Sequence, residues 1–177
     1  MIHQADLRQL IRTLSDALDL VGVDDVGHGK RVGVMAAACG RRAGLGPAEV
    51  TLLFDLGMLH DIGVSSSQVR HNLLTTLTSP EDQSHCDLGA ALLAGFRPLA
   101  PLAPAVRYHH TPWPRLVEVG VDPVLAWRAN LVFLVDRVDA LATTSQSPGS
   151  ALHRSLEIRE RIRQQSGTDF NPELVDL

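Results

Sequence analysis

A histidine and an aspartate stand side by side in LHDIGVSS, which runs from Leu59 to Ser66 at the end of a long apolar stretch. Neither side chain suits the interior of a helix. Similar interruptions recur along the chain: His28, then His60 and Asp61, then His85, then His109 and His110, and finally Asp136 inside the most apolar segment of all. Five of the eight histidines fall in this series, whereas His3, His71 and His153 have no place in it and read as solvated surface groups. Successive members are separated by roughly one helix plus one loop, a spacing that lets several helix ends converge on one point. Taken singly, each histidine reads as a helix cap or surface group. Together they are what a metal centre built between helices requires.

The residue types narrow the chemistry. Imidazoles mixed with carboxylates suit divalent Fe, Mn or Zn, with Ni and Co also accommodated, whereas all-oxygen sets suit Mg or Ca. A carboxylate has two oxygens and can bridge two cations, which an imidazole cannot. Two cations about 3.5–4 Å apart can share a water, lower its pKa and aim it at phosphorus. An Asp136 buried without a cation or donor would carry a heavy desolvation penalty. The opening pair is therefore read as two metal ligands, His60 on one ion and Asp61 bridging both.

The elements that must position these groups are helical throughout, so the predicted fold class is all-α. In HQADLRQLIRTLSDALDLVG the apolar residues Leu7, Leu10, Ile11, Leu14, Leu18 and Val21 form one stripe of an amphipathic helix. GHGKRVGVMAAACGRRAGLG carries an alanine-rich helix that should stop at Gly44, and Pro47 then opens PAEVTLLFDLGMLHD. SPEDQSHCDLGAALLAGF begins with Ser79 and Asp82 at capping-box spacing. RPLAPLAPAVRYHH reads as a short helix entered through a proline turn, DPVLAWRANLVFLVDRVDALA as the longest apolar helix, and SALHRSLEIRERIRQQSG as a charged last helix ending near Gly167. Strand-like alternation, repeats and linkers are absent. About seven helices with a metal site between their ends is the expected architecture, residues 1–177 forming one domain with 1–22 as an additional N-terminal amphipathic helix.

With 177 residues and a formal charge of −4, the chain can bury a core without staples and offers no electrostatic footprint for duplex nucleic acid. No apolar run approaches the roughly 20 residues needed to span a bilayer, and MIHQADLRQL, with neither a basic nor an apolar region, does not read as a signal peptide. Cys39 and Cys86 form no CxxC and read as free thiols, Cys86 pointing away from His85 into the core. A cytoplasmic protein is expected.

The order His28, His60-Asp61, Asp136 resembles the H…HD…D signature of the HD superfamily of metal-dependent phosphohydrolases. It is most similar to the HD-GYP branch, whose characterised members hydrolyse cyclic di-GMP. GHGKRVGVMAAACGRRAGL, LLFDLGMLHDIG, HCDLGAALL, VRYHH, LVFLVDRVDALAT and the closing DFNPELVDL each match a segment of that branch. The resemblance covers nearly everything after about residue 24 and implies an HD-domain helical bundle. It also implies metal ligands at His28, His60, Asp61, His85, His109, His110 and Asp136, with His60 and Asp61 central to catalysis and two divalent transition-metal ions as cofactors. Asp24 occupies the place where some trinuclear members carry a glutamate. Asp139, three residues after Asp136, reads as a group orienting a histidine or as a helix salt-bridge partner.

Two departures bear on activity. The family reads HDIGK, its lysine serving substrate phosphate or the leaving group, and here that place is Val64. Lys30, Arg70 and Arg107 are the candidates to supply the missing charge. After the paired histidines the chain has HHTPWPRL, with Trp113 and no GYP; Trp113 either stacks on a substrate base or packs on a neighbouring helix. The expected function is hydrolysis of a phosphodiester or nucleotide, the substrate a phosphate-containing small molecule such as a cyclic dinucleotide. The alternative is a catalytically weak signalling module that binds metal and a ligand, a downstream signalling domain or a second copy. A di-iron oxidase is a third reading that the histidine-rich set permits and nothing selects.

Overall fold

The computed structural model describes residues 6–20, 26–64, 83–144 and 150–177, and all regular structure among them is helical. Helix α1 (Leu7–Asp19) is capped by Asp6, whose carboxylate accepts from the Arg8 amide at 2.9 Å, and it turns Ile11 and Ser15 inward. It lies within the 1–22 segment expected to form an added helix. Helix α2 (His28–Arg42) is entered through Gly27 and left at Gly44, whose φ angles of 85° and 76° fall in the left-handed region that glycine tolerates. Arg41 and Arg42 in its last turn complement the helix dipole. Helix α3 (Pro47–Leu59) starts on a proline, which has no amide hydrogen to leave unpaired there.

These two helices run antiparallel with their backbones almost touching. A Cβ added to Gly57 would fall 2.6 Å from Gly33 Cα, and one added to Gly29 would fall 2.8 Å from the Met58 carbonyl oxygen. That seam sets the first residue of α2 beside the last turn of α3, which is how His28 comes to face His60.

Helix α4 (Gln83–Ala94) is followed by a 3-10 turn (Ala100–Leu102) that leads into α5 (Ala103–Tyr108). The proposed cap at Ser79 and Asp82 lies outside the described residues. Helices α6 (Trp113–Glu118) and α9 (Pro172–Val175) are additions to the seven helices expected, each too short to leave a hydrophobic period in the sequence. Helix α8 (Ala151–Gln164) exposes Arg159, Glu160, Arg161 and Arg163 of EIRERIR and turns Ile162 inward.

Helix α7 (Pro123–Thr144) is the centre of the fold. Asp122 caps it, accepting from the amides of Val124 and Leu125 at 3.1 and 3.0 Å. From Ala129 to Arg137 every residue is buried, so this helix reads as apolar all round. Its one uncharged polar residue in that run, Asn130, is fully buried. The Asn130 side chain donates to the Asp169 carbonyl at 2.8 Å and accepts from the Asn171 amide at 2.7 Å. Those bonds hold the segment containing Phe170, which is itself fully buried against Phe133 with ring centroids 5.2 Å apart. Among the described residues no helix is long and apolar enough to cross a membrane.

Candidate metal centre

Four helix ends and the middle of α7 supply the candidate ligands. His28 opens α2, His60 and Asp61 close α3, His85 lies in the first turn of α4, His109 and His110 close α5, and Asp136 projects from α7. The structure brings all seven together in two groups: His28, His60 and Asp136, and Asp61, His85, His109 and His110. Within each group one ligand atom per residue lies within 4.8 Å of the others.

Asp61 stands between the groups. Its Oδ2 is 3.8 Å from His28 Nε2, while its Oδ1 is 3.4, 3.7 and 3.9 Å from Nε2 of His60, His109 and His85. His28 Nε2 lies 3.3 Å from His60 Nε2 and 3.2 Å from Asp136 Oδ1. Two nitrogens on one tetrahedral ion at about 2.0–2.1 Å are separated by about 3.4 Å, so these spacings fit ligands sharing a cation.

The rings are held in a definite sense. His60 Nδ1 is 2.8 Å from the Gly57 carbonyl and His109 Nδ1 is 2.6 Å from that of Val106. A carbonyl only accepts, so each Nδ1 donates and Nε2 is the nitrogen turned to the centre, where its lone pair is the one a metal would take. Asp61 Oδ1, His85 Nδ1, His109 Nε2 and His110 Nδ1 are buried without a hydrogen-bond partner. Each such atom costs roughly 1–3 kcal/mol when nothing satisfies it. Imidazole and carboxylate lone pairs converging this way are the donor set of a divalent transition metal, and the residues fit one.

Electrostatics agree. Burial opposes ionisation of Asp61, but His60, His109 and His28 hold it well below the ordinary carboxylate range. Asp136 is likewise held low against burial by His28, His60 and Arg137. Burial would depress His28, yet its bonds to Asp136 and Asp139 carry it up to about 10. His110 is pushed well below its usual value by burial and then by His109, which leaves it neutral and able to ligate.

The remaining candidates are placed as follows. Asp139 accepts from His28 Nδ1 at 2.8 Å. Lys30 pairs with Asp16 and, at 3.4 Å, with Asp19, so its ammonium is engaged with α1. Arg107 pairs with Asp87 at 3.2 Å on the exposed surface. Trp113 is half-buried at the start of α6, its amide donating to the Asp169 carbonyl at 2.9 Å. Val64 is 5% exposed and part of the core. Asp24 and Arg70 lie outside the described residues.

Sequence reasoning missed two neighbours of the site. Arg31 grips Asp139, and its spacing from His28 was the available signal. Cys86 is buried as expected but does not point away: its Sγ is 3.5 Å from His85 Nε2. Burial opposes ionisation of this thiol, but His109 and then His85 draw it down to about 6.

Comparison with known proteins follows the same lines. Residues 26–144 match the family model described as HD domain. The chain is 43% identical over 136 residues to the 3'3'-cGAMP-specific phosphodiesterase 1 of Vibrio cholerae serotype O1 (strain ATCC 39315 / El Tor Inaba N16961), a match covering 77% of this chain and 32% of that protein. Its fold is similar to the crystal structure of a cyclic GMP-AMP specific phosphodiesterase of V. cholerae (V-cGAP3), with a TM-score of 0.69, 20% identity, and coverage of 96% of this chain and 47% of the other. The chain thus spans about a third of the first protein's length and about half of the second's. This chain belongs to the HD domain family.

Proposed function

We propose that this chain is a metal-dependent phosphohydrolase that works with two divalent transition-metal ions, Fe, Mn or Zn, on a phosphodiester of the cyclic dinucleotide class. The observation that carries the reading is the convergence of five buried or half-buried histidines and two buried aspartates on one point, several of their atoms lacking any other partner. The likeness to a cGAMP phosphodiesterase supports the substrate class, and the ordered H…HD…D pattern supports a place near the HD-GYP branch.

His28, His60 and Asp136 would hold one ion and His85, His109 and His110 the other, with Asp61 shared. Such a pair supplies Lewis acidity and an attacking water of lowered pKa. The protein's own contribution is preorganisation. The Gly57 and Val106 carbonyls fix two rings before any ligand arrives. Asp136 presents Oδ1 to the histidines while its Oδ2 faces Arg137 Nε at 3.8 Å. The buried face of α7 shields the inner side from water.

A second reading rests on Val64. A buried valine where the family places a lysine can neither neutralise a phosphate nor protonate a leaving group, which favours a module that binds metal and signals to a partner domain without turnover.

Elemental analysis of purified protein beside Asp61→Ala, followed by incubation with a panel of cyclic dinucleotides, tests both. About two ions per chain, lost in the variant, together with a linear product, is the expected result. Absence of metal after reconstitution would overturn the proposal. Full metal with no turnover, in wild type and in Val64→Lys alike, would establish the second reading.

A further inference from the structure

The three histidines whose Nδ1 partners are set are not held alike. His60 and His109 end their helices, so a carbonyl three residues earlier is at hand for each. His28 begins α2 and has no preceding turn to lean on. Its Nδ1 reaches across to Asp139 on α7, 2.8 Å away. A carboxylate side chain alone is a swivelling support, but this one is gripped. Arg31, one turn after His28, places Nε 2.7 Å from Asp139 Oδ1 and Nη2 2.8 Å from Oδ2, while its Nη1 donates to the Val26 carbonyl at 2.9 Å. The planar guanidinium fork fixes both the position and the plane of the carboxylate, which a single ammonium cannot do. Asp139 is 5% exposed, so it has little water to take the fork's place.

We propose that Arg31 is a positioning residue that sets the metal affinity of the His28–His60–Asp136 group and leaves that of the Asp61–His85–His109–His110 group unchanged. The proposal rests on the two-metal reading. Arg31 acts through Asp139 and, behind it, the ring of His28. Removing the fork lets Asp139 turn, and His28 Nε2 then loses its fixed line to the ion it shares with His60 and Asp136. The described bonds of Arg31 lead to Asp139 and the Val26 carbonyl, away from His85, His109 and His110.

Metal-free wild type, Arg31→Gln and Arg31→Lys would be titrated with Mn(II) or Zn(II) by calorimetry, with circular dichroism melts of the metal-free proteins alongside. Wild type should show two classes of site. In Arg31→Gln one class should weaken by about 10–100-fold, the range found when a partner behind a ligating histidine is lost, while the other keeps its affinity and stoichiometry. Arg31→Lys should fall between, since it keeps the charge without the fork. Asp139→Asn should weaken the same class, and adding Arg31→Gln to it should cost little more, because the two act in series. Wild-type affinity at both sites in the Arg31 variants, or equal weakening of both, would overturn the proposal, the latter marking a general structural role. A wild type that binds no metal would instead bring down the two-metal reading and this proposal with it.

Discussion

The two groups of the metal centre are built by different means. His28, His60 and Asp136 sit on α2, α3 and α7, where a glycine-lined antiparallel seam and a helix buried on all sides fix the geometry. Asp61, His85, His109 and His110 depend instead on α4 and the six-residue α5. They meet the end of α3 through a tight backbone approach: a Cβ on Gly63 would fall 2.0 Å from the His85 carbonyl oxygen and 2.5 Å from the Gly89 amide nitrogen. One group inherits its shape from a locally folded hairpin, the other from the packing of α4 and α5 against the turn that follows the His-Asp pair. Damage to either should therefore be separable.

Gly63→Ala offers the sharpest break. Backbone atoms cannot yield by a rotamer change, so α4 must move and take His85 with it. The expected outcome is loss of about one ion per chain from the four-ligand group, read by elemental analysis, with helicity retained. If both ions stayed, the proposed dependence on that contact would be wrong. Gly57→Ala strikes the other side. Its clash with Gly33 Cα should destabilise the metal-free protein by about 1–3 kcal/mol, or about 2–4 °C of Tm per kcal/mol for a chain of this size, since the seam belongs to the core as well as to the site. A melt unchanged from wild type would show the seam to be softer than its spacing implies.

Acidity enters both groups, through His28 in one and through His109 in the other, where burial opposes the charge but Cys86 and Asp61 hold the ring well above its ordinary value. Near pH 7 the raised pKa of His28, about 10, keeps it protonated in the metal-free protein, and an incoming ion must displace that proton. Metal uptake should release at least about one proton per chain, so affinity should rise about tenfold per pH unit between about 7 and 9. Stability of the metal-free fold runs the other way. The proton on His28 contributes stability that is fully present below the ordinary value of 6.5 and is lost as pH rises through about 10. A pH-stat titration and denaturant melts would check the two signs, and uptake without proton release would contradict them. The smallest effect is expected from Lys30→Ala. Its partners lie on α1 and its ammonium is open to solvent, which screens the pair, so stability should barely change and metal content not at all. A lost ion there would mean that α1 steers the centre.

Much of this was legible in the chain because it rests on residue type and helical period. His60 and Asp61 at the end of an apolar run, and Asp136 within one, are conspicuous because burial makes them costly without partners. What escaped depends on direction in space. Arg31 stands three residues after His28, and Asp139 three after Asp136, but that the two pairs face each other is fixed by the crossing of α2 and α7. Gly29, Gly33 and Gly40 form a visible stripe of small residues, yet only the packed structure shows Gly57 opposite Gly33. Cys86 was read as turned away from His85, whereas the first turn of α4 brings its sulfur back toward the ring. Helices α6 and α9 are set by prolines and by contacts to α7, and six- and four-residue helices carry no period to read.

Asn130 has a consequence for how the chain is assembled. Its amide lies in the middle of α7, and its two partners are backbone groups of Asp169 and Asn171, some forty residues later. While a ribosome is still short of those codons, the helix that bears Asp136 and Asp139 carries a polar side chain with its eventual partners not yet made, next to the place that Phe170 will seal. The nascent domain therefore has a built-in order of completion: the hairpin of α2 and α3 can close early, but the interior around Asn130 and Phe133 waits until residues 169–171 have emerged.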